Sequence, residues 1–238
     1  MSLNNLNENS INSNWNEKWK DIFSHYQNDI RHAYYIQAML RKNESHILEL
    51  AAGSFRDMAA LRRNGIDCEG MDFSTEAVNL AKKYFPEFAE KIHAMSAFSL
   101  PFKDNHFDLS YHNGFWVLFD DEKIKKLAEE QARISKYRII ATVHNAHNIQ
   151  FLNYFKEKKE TDPLYDIRFF EKDEILNLMS KVCKTVEIIP VGKGKKYHED
   201  ALISQGVEDP KILHNYLVSS GLQHLNTSER LLCIGELQ

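Results

Sequence analysis

The stretch Ile47-Leu48-Glu49-Leu50-Ala51-Ala52-Gly53-Ser54-Phe55-Arg56-Asp57 leaves an apolar run, passes through small residues and enters a helical pattern. That order is a strand, a tight loop and a helix start. Small side chains let backbone N–H groups approach a ligand closely, and the helix N-terminus that follows favours a carboxylate or phosphate. The reading therefore expects a strand over His46 to Ala52 and a helix over Asp57 to Asn64.

Beyond this stretch the same alternation repeats. Strand Asp67 to Phe73, helix Ser74 to Phe85 and strand Lys91 to Ala97 complete a βαβαβ unit. Gly65 suits a left-handed helix end, while Ser74 and Glu76 supply an N-cap and a first-turn carboxylate. After the Leu100-Pro101-Phe102 turn come strand Phe107 to Tyr111, helix Asp121 to Ser135 and strand Tyr137 to Val143. Helices over Ile149 to Lys159, Lys172 to Val182 and Pro210 to Val218, and strands over Thr185 to Val191 and Leu231 to Gly235, follow. Each crossover must bury an apolar helix stripe, so the fold class is α/β, doubly wound and mostly parallel, with helices on both faces.

Ahead of the first strand, Trp15, Trp19, Ile22, Phe23, Tyr26, Ile30, Tyr34 and Met39 recur near helical spacing. Residues 1–45 are read as a polar tail and a helical lid, and residues 46–238 as the main domain. Asn4 to Asn14 is polar enough to stay disordered until a partner or substrate orders it.

The 238 residues are 43% apolar and 27% charged, which suits an ordinary globular core. A net charge of -4 with scattered basic residues argues against nucleic acid and anionic membranes as partners. Lys193 to Lys196 is the one basic cluster, read as a solvated loop. The three cysteines, Cys68, Cys183 and Cys233, lack metal-ligand spacing and read as buried thiols of a reducing, cytoplasmic protein. No metal is expected.

In an open α/β sheet, ligands bind beyond the carboxyl ends of the strands. Asp72, after Gly70-Met71, stands where a carboxylate accepts hydrogen bonds from ribose hydroxyls. With Leu48-Glu49-Leu50-Ala51-Ala52-Gly53, Gly70-Met71-Asp72-Phe73-Ser74 and Leu100-Pro101-Phe102-Lys103-Asp104-Asn105-His106-Phe107-Asp108 in this order, the chain resembles the Rossmann-like, class I S-adenosylmethionine-dependent methyltransferases from His46 onward. The resemblance implies a seven-stranded sheet with the last strand antiparallel and S-adenosylmethionine as cofactor. It implies Glu49 and Gly53 framing the methionine part, Asp72 on the ribose, Phe73 on the adenine face and Ser96 near the adenine amino group, with Ala51, Ala97 and Asn113 as further cofactor-binding residues.

Two positions depart from that family's pattern. Ala51, Gly53 and Phe55 stand where three alternating glycines are usual, and Ser96 stands where an acidic residue commonly accepts from the adenine amino group. The resemblance implies methyl transfer, and the absence of a basic nucleic-acid surface with a chain too short for a large recognition domain points to an oxygen or nitrogen of a small-molecule acceptor, such as a sugar or other natural-product intermediate. Its rivals are a cofactor-binding regulator with weak or lost chemistry and a nicotinamide-dependent oxidoreductase, which expects a Gly-x-Gly-x-x-Gly absent from residues 51–56.

Methyl transfer needs alignment and, for a weakly acidic nucleophile, a base. The fourth-strand exit carries His112 and the fifth His144 and His147. On the family's sheet order these three converge on one pocket as candidate catalytic bases.

Overall fold

The computed structural model describes residues 8–162, 165–192, 196–204 and 210–237, with side chains from residue 15 onward. Its centre is a seven-stranded sheet: β1 (His46–Leu50), β2 (Asp67–Asp72), β3 (Ile92–Ala94), β4 (Phe107–Asn113), β5 (Ser135–His144), β6 (Thr185–Val191) and β7 (Arg230–Glu236). The spatial order is β3-β2-β1-β4-β5-β7-β6. Strands β1 to β5 pair in parallel, and β7 runs antiparallel to β5 and β6.

Helices follow from local chemistry and from the need to cover both faces. On one face lie α2 (Arg31–Met39), α3 (Arg56–Arg63) and α4 (Thr75–Tyr84), burying Ile36, Met58 and Ala81 with Ile47 and Tyr111 of the sheet. On the other, α5 (Asp121–Ile134) and α7 (Lys172–Met179) bury Ile124, Leu127, Ile175 and Met179 against Leu48, Leu50 and Ile139. Because both faces are covered, β1 after His46 reads as an apolar run apart from Glu49. Asp120 caps α5 by accepting from Lys123 N at 2.9 Å.

Ser74 caps α4, accepting from Ala77 N at 3.1 Å while its hydroxyl donates to Asn16 Oδ1 at 2.6 Å. Ser74→Ala removes both and is expected to cost about 1 kcal/mol, the usual value of a lost cap, in urea denaturation. An unchanged midpoint would show that Asn16 or water replaces it.

Three differences from the sequence expectation have physical reasons. The β3 strand ends at Ala94 rather than Ala97, because Met95 N still bonds Asp72 O but the chain then leaves the sheet. The amino-terminal helix α1 (Glu8–Ile22) begins inside the polar stretch read as disordered, since Trp19 and Phe23 bury against the main core and anchor it. Residues 4–7 and 193–195 lie outside the described residues. Finally, the segment after β6 holds α8 (Lys196–Ser204) as well as the expected α9 (Pro210–Ser220). Both rest on α2, where Tyr35 Oη donates to the buried Glu199 Oε2 at 2.5 Å and His214 Nδ1 meets Ala38 O at 3.0 Å. Tyr197, by contrast, faces solvent at 82% exposure.

At the amino end of the sheet, Arg138 of β5 pairs with Glu44 just ahead of β1, both buried, and donates also to Met39 O. Helix α6 (Ile149–Lys158) leaves the opposite, carboxyl end after β5.

Candidate active site

The sheet order reverses between β1 and β4, which opens a crevice at their carboxyl ends. Its floor is the loop after β1. Ala51, Gly53 and Phe55 have φ of 50°, 55° and 56°, so all three alternate positions are left-handed although only one is glycine. The conformation costs a non-glycine residue about 1–2 kcal/mol. What compensates Phe55 is burial: its side chain is 0% exposed, and its ring occupies space where a Cβ on Gly70 would lie 2.8 Å from Phe55 Cδ1. The missing glycine therefore does not reshape the loop, because Phe55 turns inward and Gly70 of β2 makes room for it.

Asp72 secures the loop from the end of β2. Its Oδ2 accepts from Gly53 N and its Oδ1 from Ser74 N, each at 2.8 Å. Burial pushes its carboxyl up to about 6, against the opposing effect of those N–H groups. The Phe73 N–H also acts on it, and since a carboxylate offers about four lone-pair sites, accepting capacity remains for a ligand hydroxyl. Phe73, Ser96, Asn113, Ala51 and Ala52 are each partly exposed around this floor, and Ala97 is buried beneath it.

Glu49 lies near the end of β1, under the start of α3. It is buried and accepts from Met58 N at 2.8 Å, so it props α3 and the loop from below. Burial and the nearby Asp57 carboxylate raise its pKa well above the usual range.

The amino-terminal segment forms the outer wall. Trp19 of α1 seats its ring on Gly53 so closely that a Cβ there would lie 2.4 Å from Trp19 Cζ2. Gln27 Nε2 donates to Ser54 O at 3.0 Å, and Arg56 stacks over Tyr26 while donating to its carbonyl.

The three histidines do not converge. In β4, His112 is in register with Ala141 and Asn113 with Thr142, so strand alternation places His112 on one face of the sheet and His144 on the other. His112 is 0% exposed beside Trp116, neither ring nitrogen has a partner among the described residues, and burial holds it neutral with a pKa pulled down to about 3. His144 stacks on Phe151 with centroids 5.8 Å apart and accepts from Arg230 Nη1 at Nδ1, at 3.4 Å. Burial and the Arg230 charge pull its pKa well below the usual value. His147 lies apart, its Nε2 accepting from Lys172 N at 3.0 Å where α7 begins.

A polar network unforeseen from the sequence joins the crevice to α2. His32 Nε2 meets Thr142 Oγ1 at 2.8 Å, and His32 Nδ1 meets Asp57 Oδ2 at 3.2 Å. Burial raises the Asp57 carboxyl, but His32, Arg56 and Asn113 more than offset it, leaving it below its usual range. The network draws on α2, α3, β4 and β5, so no local motif marks it. Beyond the β5 exit, a cavity of about 530 Å³ is lined by residues including Ala146, Phe155, Tyr165 and Phe169.

Together these features suit a ligand with a nucleoside portion: a left-handed loop under partly exposed small residues, with a buried carboxylate beside it that keeps accepting capacity. Trp19 occupies the approach to Gly53, so such a ligand contacts Gly53 directly only once that ring shifts.

Comparison with known proteins agrees with this geometry. Residues 47–137 match the family model described as a methyltransferase domain, spanning β1 into β5. No curated protein matches the chain in sequence. Among solved structures, the chain is similar to an S-adenosylmethionine-dependent methyltransferase from Thermotoga maritima, described as a possible histamine N-methyltransferase, with 18% identity, 97% of this chain and 98% of that one covered, and a TM-score of 0.61. A methyltransferase of the same dependence from Archaeoglobus fulgidus gives 14% identity, coverage of 92% and 96%, and a TM-score of 0.63. Geranyl diphosphate C-methyltransferase from Streptomyces coelicolor gives 14%, coverage of 87% and 78%, and 0.58. The match over residues 47–137 and the strand order agree on the fold of the class I, Rossmann-like S-adenosylmethionine-dependent methyltransferases, to which the chain is similar.

Proposed function

We propose that the protein transfers the methyl group of S-adenosylmethionine to an oxygen or nitrogen of a small-molecule acceptor. The observation that carries this reading is the loop at residues 51–55, which keeps three left-handed positions and is tied by Gly53 N to Asp72. The cofactor supplies an electrophilic methyl group on a sulfonium. Asp72 accepts from the ribose, Phe73 lies against the adenine, and Ser96 and Ala97 border its edge. The backbone around Ala51 and Asn113 meets the methionine portion.

None of the three histidines at the β4 and β5 exits is set up as a proton acceptor. His112 is walled off, and the lone pair of His147 is spent on α7. Arg230 donates to His144 Nδ1, which leaves the proton of the neutral ring on Nε2, a donor rather than a base. The chain's own contribution is alignment and exclusion of water, sufficient for a nucleophile that sheds its proton easily. The similar structures differ in their described chemistry, one a possible N-methyltransferase and one a C-methyltransferase, so the acceptor must be read from this chain's own walls.

A second reading, a cofactor-binding protein with little turnover, is favoured by the seating of Trp19 on Gly53. Thermal melting with S-adenosylmethionine, S-adenosylhomocysteine and NAD tests both. The first two are expected to stabilise the fold, by about 2.7 kcal/mol at a hundred times Kd, and NAD to do nothing. Absence of any shift with the first two would overturn both readings. A shift without methyl transfer to any acceptor would leave the second standing.

A further inference from the structure

Arg230 is a guanidinium placed where the fold does not need one. It opens β7, pairs across to His144 at the β5 exit, and reaches over the β4 turn. There a Cβ on Gly114 would lie 3.1 Å from its Nη1. Its one side-chain hydrogen bond among the described residues is the donation to the neutral His144 ring, at 3.4 Å. No carboxylate of the described residues lies within ion-pair distance, and Glu229 and Asp29 act on it only at longer range. Arg56, a second cation at the same end of the sheet, opposes it. Burial moves its pKa down, as expected for a cation short of compensation. Arg230 is only partly buried, and its guanidinium fork, without a carboxylate of the described residues at ion-pair distance, is open to an oxyanion.

The walls beside it are aromatic. His144 packs against Phe151, Phe155 and Phe169 at centroid distances of 5.8, 5.3 and 5.1 Å. Phe155 and Phe169 also line the 530 Å³ cavity beyond the β5 exit. The aromatic side of that cavity, nearest His144, suits a flat apolar body, while Lys156, Lys159, Asp166, Glu171 and Glu174 supply charge elsewhere in its lining.

We propose that Arg230 is the anion-recognising residue of the acceptor site, so that the methyl acceptor is a planar apolar molecule bearing a carboxylate or phosphate. This rests on the methyltransferase reading above. The cofactor's own carboxylate is the other oxyanion within the crevice, and the experiment separates the two. The β7 strand stands three strands from β1, roughly 14 Å at ~4.8 Å per strand, which favours the acceptor.

The probes are benzoate, phenyl phosphate and, as the uncharged control, benzyl alcohol, titrated calorimetrically into protein saturated with S-adenosylhomocysteine. At least one of the two anions is expected to bind and the alcohol not to. Which of the two binds more tightly decides between carboxylate and phosphate. Arg230→Met should weaken the anion at least tenfold while leaving S-adenosylhomocysteine affinity within twofold. Arg230→Lys, which keeps the charge and loses the fork, should fall between. Neither variant is expected to lower the melting midpoint, since no close ion pair is broken. If Arg230→Met fails to fold, the Arg230→Lys affinities decide.

The proposal is overturned if neither anion binds, if the alcohol binds as well as they do, or if the variants bind the anion like the parent. A tenfold loss of S-adenosylhomocysteine affinity in Arg230→Met also overturns it, by assigning the residue to the cofactor. Should S-adenosylhomocysteine fail to bind the parent protein, the methyltransferase reading falls. The anion titration on the free protein would then still judge Arg230.

Discussion

Phe55→Gly, which restores a glycine at the third left-handed position of the β1 loop, is expected to destabilise the protein by about 3 kcal/mol in chemical denaturation. Two effects oppose one another. Glycine removes the left-handed cost of about 1–2 kcal/mol. Yet the Phe55 ring is fully buried against Gly70 and Met58, and truncating such a ring leaves a cavity worth about 3–5 kcal/mol. The cavity wins. Phe55→Ala separates the effects, because alanine leaves nearly the same void and keeps the left-handed cost. It should therefore be less stable than Phe55→Gly by about 1 kcal/mol, the reverse of the usual ranking of these residues. A Phe55→Gly protein as stable as the parent, or an alanine variant at least as stable as the glycine one, would show that the ring is not what pays for the loop.

Asp72 is expected to give stability and ligand binding opposite pH dependence. Its folded pKa, about 6, lies above the ordinary value of 3.8, so the folded state binds the proton more tightly than the unfolded state does. Its contribution to stability is therefore greatest below pH 4 and is lost as pH rises to about 6, by on the order of 3 kcal/mol in all. A ribose hydroxyl, however, donates best to the ionised carboxylate, so S-adenosylhomocysteine affinity should fall as pH drops below about 6. Asp72→Asn removes both dependences. It should also cost about 100-fold in affinity, the equivalent of two charge-assisted hydrogen bonds weakened by roughly 1.5 kcal/mol each. Melting curves of the free and liganded protein between pH 4 and 8 measure both. Parallel pH profiles with and without ligand would refute the placement of the ligand on Asp72.

Much of the architecture was legible because buried parallel strands read as apolar runs and because caps such as Ser74 and Asp120 announce their helices. Helix α8 escaped for a physical reason: it buries Glu199 under Tyr35 and exposes Tyr197, the inverse of what hydropathy leads one to expect. Asp72 could be placed from local order, since a strand end fixes it. The histidines could not, because their facing depends on the register of His112 with Ala141, which the sequence does not display. His32, Asp57 and Thr142 meet only through the sheet order and the packing of α2, and Arg230 meets His144 only through the antiparallel pairing of β7 with β5.

The reciprocal fit of Phe55 and Gly70 also constrains the order in which such a loop can be assembled by single substitutions. With any side chain at position 70, its Cβ would lie about 2.8 Å from the Phe55 ring, closer than carbon atoms tolerate. Glycine at 70 is thus permissive: it has to be in place before phenylalanine at 55 can be accommodated, and once the ring is seated the earlier change becomes difficult to reverse. The two positions, 15 residues apart, one in the β1 loop and one within β2, form an epistatic pair, and variants at either one carry meaning only when the other is stated.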